Sequence, residues 1–462
     1  MQPLKSQESF SWWRNTFFPI HNKEIPKVLF FFIIYFCLIL ISILSRMLKD
    51  FIFIIYLQKN PFNFYLLSSE KNIFIKLVIF TLLLLEITIP ITLAILNIKI
   101  SRKYSPFKVF RMLLIPSVSF LTFSTFFCKY IKVPSLLFGF LIKFCADVIV
   151  LLVSNVIFWQ LVNFYCSYNE KKRFFPLCCL VGIGGAFFSS FLRPGPFNSL
   201  TPIFFIGLLL FFTRILLMAL RAVEKSPYIK PLEEIVDENL DKSGIISNFR
   251  AHPSLIFICL TAICYSITVS SMGYFWEFYV LEFCGRRDNF MTFMSTYKNL
   301  VTRVSFIGIF LGSSIVRRWS WGSMAMRGPI IVLCTSSLFF LINSSFFKSF
   351  LIITFHGHHL WWVVMVGGGA LFFLQILQYL FVHFPKQLFV GSQTKNSMIQ
   401  VHSLELLIAS YPGLWISRFI KFYIKKNAHL NIAPIFLLLN IFICVLWMYM
   451  IRKINKEMVL VE

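Results

Sequence analysis

Acidic side chains are scarce in this sequence: 19 Asp and Glu stand against 44 Lys and Arg, and all charged residues together make up 14% of 462. So little charge excludes an ordinary soluble domain of this length. The formal net charge of +25 would suit a nucleic-acid surface if the basic residues were clustered. They lie instead in short loops between apolar runs, where they signal membrane orientation, so no nucleic-acid partner is expected. The 11 cysteines contain no CxxC spacing, and most sit within apolar runs (Cys37, Cys145, Cys259, Cys264, Cys334, Cys444), as small buried hydrophobes do. Gly182, Gly184 and Gly185, and the run Gly367 to Gly369, lack the lysine and hydroxyl residue of a P-loop and suit close helix packing. His356, His358 and His359 have no carboxylate or thiolate nearby in sequence and read as an interfacial loop beside Trp361 and Trp362, so no metal is expected. No nucleophile stands beside a base, so neither an enzyme nor a cofactor is expected. The polar, mixed-charge start of the chain has no short apolar core followed by a small-residue cleavage site, and residues 1–27 read as a cytoplasmic tail.

What is present is apolar surface. Hydrophobic residues make up 58% of the chain, with 58 Phe among them, which defines a polytopic membrane protein. Measured against the roughly 20 apolar residues a bilayer-crossing helix needs, the sequence predicts an all-α fold of twelve segments. They lie near 28–56, 73–98, 107–127, 134–165, 174–193 and 200–222, then near 253–283, 291–315, 327–347, 358–385, 397–420 and 431–451. The two sets of six are separated by a polar stretch, residues 223–252, that holds Glu224, Glu233, Glu234, Asp237, Glu238 and Asp241 and reads as a solvated linker. Residues 452–462 read as a second tail. Lys99, Arg102, Lys103 and Lys108, then Lys171, Lys172 and Arg173, then Arg317, Arg318 and Arg327, place both termini in the cytoplasm; Lys421, Lys425 and Lys426 fall on the opposite side as an exception.

Basic turns after the second segment of each half, IKISRKYSPFK and SIVRRWSWGSMAMR, give the halves an internal echo. Two six-helix halves joined by a polar linker are the plan of major-facilitator-type carriers, whose site lies near mid-membrane. Charge inside a bilayer is costly and marks a polar route. Lys49, Asp147, Glu277 and Lys386 interrupt the first, fourth, seventh and tenth segments, which line the cavity in that plan, and are expected to converge there. Arg46 precedes Lys49 by three residues and Asp50 by four, so the three share a helix face, where Arg46 either contacts phosphate or pairs with Asp50. Glu86 reads as a local polar contact.

Four stretches carry a resemblance to a known family: FFPIHNKEIPK, SRMLKDFIFIIY, IFWQLVNFYCSYNEKKRFFPL and LGSSIVRRWSW. They resemble motifs of the ATP/ADP translocases of plastids and obligate intracellular bacteria, and the likeness spans most of the chain. It implies that Lys49, Asp147, Glu277 and Lys386 matter for transport, with Asp147 standing where the family has a glutamate. It also implies a monomeric carrier in the inner (cell) membrane that exchanges ATP for ADP by alternating access. Where the family's tenth helix carries lysines this chain has Gln375 and Gln378, which keeps open another nucleotide or a smaller organic anion as substrate, or a membrane protein that no longer transports. Tyr274 and Tyr379 are candidate platforms for the base.

Overall fold

The computed structural model describes residues 20–59, 88–89, 91–130, 136–191, 201–226, 253–285, 287–342, 359–390, 399, 401 and 433–458. Every regular element among them is helical. Helix α1 spans Ile25–Lys59, α2 covers residues 91–103, and α3 spans Pro106–Tyr130. Helix α4 is composite: Leu136–Asp147 is α-helical, Val148–Ile157 is π-helical, and Phe158–Tyr165 is α-helical again. Then follow α5 (Tyr168–Phe191), α6 (Thr201–Lys225), α7 (Pro253–Cys284), α8 (Arg287–Arg318) and α9 (Trp321–Ile342). Helix α10 repeats the composite plan of α4, with α-helix over His359–Gln378, π-helix over Tyr379–His383 and α-helix over Phe384–Val390. Helix α11 is Ala433–Met458.

These helices coincide with eleven of the twelve expected segments, the second only in its last part; the segment near 397–420, apart from residues 399 and 401, and most of the acidic linker lie outside the described residues. Seven are long and apolar enough to cross a bilayer. Helix ends differ from the hydropathy reading where charge caps an apolar rod. Helix α5 starts at Tyr168, six residues before the expected boundary, because Glu170, Lys171, Lys172 and Arg173 form its first turns. The basic turn around Trp319 is likewise mostly helix, since α8 ends at Arg318 and α9 begins at Trp321. Long basic side chains lay their stems on apolar surface and keep their charge at the rim, so a hydropathy ruler trims such helices.

Packing follows small residues and ring edges. In the first group of helices, α1 lies against α4, α5 and α6, and α3 against α4 and α6. A Cβ on Gly182 of α5 would stand 2.6 Å from the Tyr35 ring, and one on Gly185 3.2 Å from Ile39, so these glycines let α5 approach α1. Tyr35 in turn stacks on Phe158 at 4.4 Å between ring centroids. In the later group, α11 packs on α9 and α7, and α10 on α7, α8 and α9. Gly367 and Gly368 abut the Trp276 indole, whose Nε1 donates to the Val364 carbonyl at 2.9 Å. The Tyr297 hydroxyl donates to the Gly368 carbonyl at 2.9 Å, and Trp321 Nε1 to the Pro385 carbonyl at 2.7 Å. Three neighbours thus hold α10 by its own backbone carbonyls. The close-packing role read for the glycine runs holds at Gly182, Gly185, Gly367 and Gly368, while Gly184 and Gly369 meet nothing within 4 Å.

The echo between the two basic turns has a structural counterpart. Tyr104 lies under the ammonium groups of Lys103 and Lys108, while Trp319, 215 residues later, lies 3.1 Å under the Arg327 guanidinium. Just beyond each, Phe107 touches Tyr165 at the end of α4 and Trp321 touches Phe389 at the end of α10. We call the end of the bundle where α1 begins the lower end.

Candidate functional site

Tyr35, Ile39, Ser42, Arg46 and Lys49 recur along α1 at steps of four, three, four and three, which places them on one helical face. Tyr35, Ile39, Ser42, Ile43 and Arg46 form one wall of a cavity of about 250 Å³; Val150, Ser154 and Asn155 of the α4 π stretch and Cys179, Gly182, Ile183 and Ala186 of α5 complete it. The Ser42 and Ser154 hydroxyls meet across the α1–α4 contact, and each also lies 2.8 Å from a carbonyl of its own helix, Leu38 and Ile149 respectively. Arg46 is exposed where it borders the cavity, and Lys49, one turn above it, is half-buried. The side chain of Asp50, the pairing alternative for Arg46, lies outside the described residues.

Asp147 closes the upper α-helical piece of α4 and is half-buried, three residues before Val150 of the cavity wall. Ser42 meets Ser154, and Lys49 and Asp147 each lie seven residues above that contact on their own helices, about 8–10 Å, so the two are near one level. Glu277 is exposed on α7, about 36 Å along from Pro253, so it too belongs to the upper part. Lys386 does not join them. It lies in the short piece Phe384–Val390 below the π stretch of α10, next to Pro385, whose carbonyl is held by Trp321 at the α8–α9 turn. Only 6% exposed, it sits at the lower end, about 15–20 Å along α4 from the level of Asp147. The expected convergence of four charges on one cavity is therefore replaced by three in the upper part and one in the lower closure. None of the four lacks an interaction partner.

That closure joins the two groups of helices. Helix α5 packs against α8 and against the end of α10. Trp159, Val162, Asn163, Lys171 and Phe175 from one group, with Gln387 and Leu388 from the other, enclose a void of about 10 Å³. Asn163 Nδ2 and Gln387 Oε1, a donor and an acceptor, both line it and have no hydrogen-bond partner within the protein. On α1 and α5, Lys27 pairs with Glu170 at 2.9 Å and Arg173 with Glu24, which braces the lower end of the first group. Cys166, between those helices, is fully enclosed, and burial pushes its thiol up to about 12, the nearby lysines only partly opposing this.

The cavity-lining Asn155, Ser154, Ser42 and Tyr35 were not singled out from sequence. The α1 members were legible as the continuation of the Arg46–Lys49 face toward the lower end. The π register that turns both Ser154 and Asn155 to the cavity leaves no such pattern. Side chains of Gln375, Gln378 and Tyr379, and the whole of Glu86, His356, His358 and Lys421 to Lys426, lie outside the described residues. Among the described residues no group of His, Cys, Asp and Glu is arranged to hold a metal.

Residues 240–458 match the family model of the TLC ATP/ADP transporters. The later part of the chain is thus similar to that family. Similar proteins include ADP,ATP carrier protein 1 of Chlamydia muridarum (strain MoPn / Nigg), 23% identical over 384 residues that cover 73% of this chain and 69% of the carrier. ADP,ATP carrier protein 4 of Rickettsia felis (strain ATCC VR-1525 / URRWXCal2) is 23% identical over 369 residues, 73% of this chain and 72% of that one. Among solved structures, the major facilitator superfamily transporter FucP in the outward conformation superposes with a TM-score of 0.59 at 13% identity, over 94% of this chain and 99% of FucP. A bacterial homologue of the iron transporter ferroportin in its outward-facing state gives 0.57 at 14% identity, over 92% and 99%. The fold is thus the helical major-facilitator fold.

Proposed function

We propose that the protein carries nucleotides across a membrane, exchanging ATP for ADP by alternating access between its two groups of helices. The observation that carries this reading is the cavity against α1, bordered by Arg46 with Lys49 one turn above, inside a bundle of apolar helices. A guanidinium and an ammonium on one face suit a polyphosphate, the first as a planar fork and the second as a compact charge. Asp147 and Glu277, in the same upper part, serve as counter-charges to the cations when no nucleotide is present. Lys386 meets the phosphates in the alternative form, when the lower closure has opened. The lower end, ringed by Arg102, Lys103, Lys108, Arg452 and Lys453, faces the cytoplasm in this proposal, and the protein works as a monomer in a cell membrane. Exchange needs no hydrolysis and no cofactor.

The C. muridarum and R. felis relatives are named as ADP,ATP carriers, which supports the choice of substrate. Uptake of labelled ATP, ADP, GTP and NAD into cells or proteoliposomes, with and without unlabelled ADP inside, tests it. ATP uptake that accelerates with internal ADP is the expected result. Uptake of none of the four would overturn the reading.

A further inference from the structure

We infer that Asn155 reads the base of the transported nucleotide. The inference rests on the nucleotide-carrier reading above and extends it to a residue and a role. Within the π stretch Val148–Ile157, eight of ten side chains are buried; Asn155 is exposed, and it lines the cavity. A carboxamide facing open space amid apolar helix is costly to keep in a membrane unless a polar guest uses it. The other hydrogen-bonding groups of the α4 wall are engaged: the Ser154 hydroxyl lies between Ser42 and the Ile149 carbonyl. Asn155 alone on that wall offers a donor and an acceptor side by side. Single π turns inside α-helices recur at functional sites, because the extra residue re-aims the side chains that follow.

Position decides which part of the substrate it meets. Arg46 and Lys49 stand on the facing α1 wall, one and two turns above the level where Ser42 meets Ser154, so the phosphates are drawn to the upper part and the nucleoside is left below, beside Asn155. The volume agrees, since about 250 Å³ is less than the roughly 300–1,000 Å³ of pockets that enclose a whole drug-sized ligand. It suits the nucleoside, with the polyphosphate extending past Arg46. An amide pairs in two-point fashion with the adjoining N6 donor and N7 acceptor of adenine, whereas the corresponding edge of guanine presents two acceptors. Adenine is the base this residue favours.

The test is competition against labelled ATP uptake by ATP, GTP and inorganic tripolyphosphate, in the full-length protein and in Asn155→Leu and Asn155→Gln. Losing a two-point base contact weakens binding by about five- to a hundred-fold. Asn155→Leu is expected to raise the half-inhibiting concentration of ATP by that factor and leave tripolyphosphate unchanged, since it touches only the cationic part. Asn155→Gln, which keeps the amide, is expected to retain the preference for ATP over GTP. Unchanged ATP competition in Asn155→Leu overturns the inference. So does a parallel loss for ATP and tripolyphosphate, which is the signature of a packing role. Failure of the carrier reading is seen separately, as absence of nucleotide uptake by the unmutated protein, and it would remove the base-reading role with it.

Discussion

Asn163 and Gln387 offer the sharpest test of how the lower end is closed. Their orphaned amide atoms, one a donor and one an acceptor, face the same void between α4 and the end of α10, and both side chains are at least nine-tenths buried. Buried polar atoms are paired in the great majority of cases, and a void of about 10 Å³ is near the least that holds one water, so a bridging water is expected there. Asn163→Leu or Gln387→Leu removes one partner and strands the other, at a cost of about 1–3 kcal/mol to the lower-closed form. In the lower-open form the amides separate, so the penalty acts on the equilibrium between the forms and shifts it by about five- to a hundred-fold. The double variant removes both polar groups and the need for the water, and is expected to lie nearer the wild-type protein than the sum of the single effects. Spin labels at Lys172 on α5 and Ser320 at the α8–α9 turn report the width of the lower end by pulsed distance measurement. Two single variants with unchanged distance distributions, or a double variant equal to their sum, would refute the bridged pair.

Other outcomes follow from the same geometry. Arg46→Gln and Lys49→Gln each remove a charge-assisted contact worth about 1.5–3 kcal/mol, so each is expected to lower apparent ATP affinity by at least tenfold in uptake assays, while Arg452→Gln, exposed at the lower rim, leaves it unchanged. Gly328→Ala places a Cβ 2.7 Å from the backbone carbonyl of Phe381, which cannot swing aside, whereas in Gly182→Ala it meets the Tyr35 ring. Both overpack by about 1–3 kcal/mol, with Gly328→Ala the more costly in thermal unfolding in detergent. The Cys166 thiol, pushed up to about 12 by burial, stays protonated at neutral pH and is expected to resist maleimide in native membranes until the lower end is unfolded.

How far the sequence could be read depended on which physical signal each feature leaves. Apolar length marks a spanning helix directly, so the helical segments were legible, except at charged ends such as Glu170 to Arg173 where helix continues past the apolar run. Intramembrane charge marks polar sites, and Arg46 on the cavity border was legible for that reason. Depth was not. Lys386 follows an apolar segment just as Lys49 interrupts one, and only the Trp321–Pro385 bond and the packing of α5 on the end of α10 reveal that it belongs to the lower closure. Asn155 was invisible for a different reason: period-3.6 reasoning assigns faces wrongly across a π stretch, where backbone bonds reach one residue further, as from the Phe158 N–H to the Val153 carbonyl.

The distribution of polar ties bears on how such a bundle moves. Directional bonds concentrate within each group of helices: Lys27 with Glu170 and Arg173 with Glu24 in the first, and Trp276, Tyr297 and Trp321 onto α10 in the second. Across the interface the described contacts are of another kind, chiefly α5 against α8, with the Arg303 guanidinium 5.9 Å over the Phe187 ring and the amide-lined void below. Ties of this kind within each group favour motion of the group as a body, by rigid-body rocking, over local unfolding. The bridged amide pair is also small on the scale of exchange, since a hydrogen bond contributes about 0.5–1.5 kcal/mol net. Reversing a population ratio from 1:99 to 99:1 takes about 5.5 kcal/mol of differential binding, and a latch much stronger than the amide pair would consume most of what a nucleotide can supply through two or three phosphate contacts.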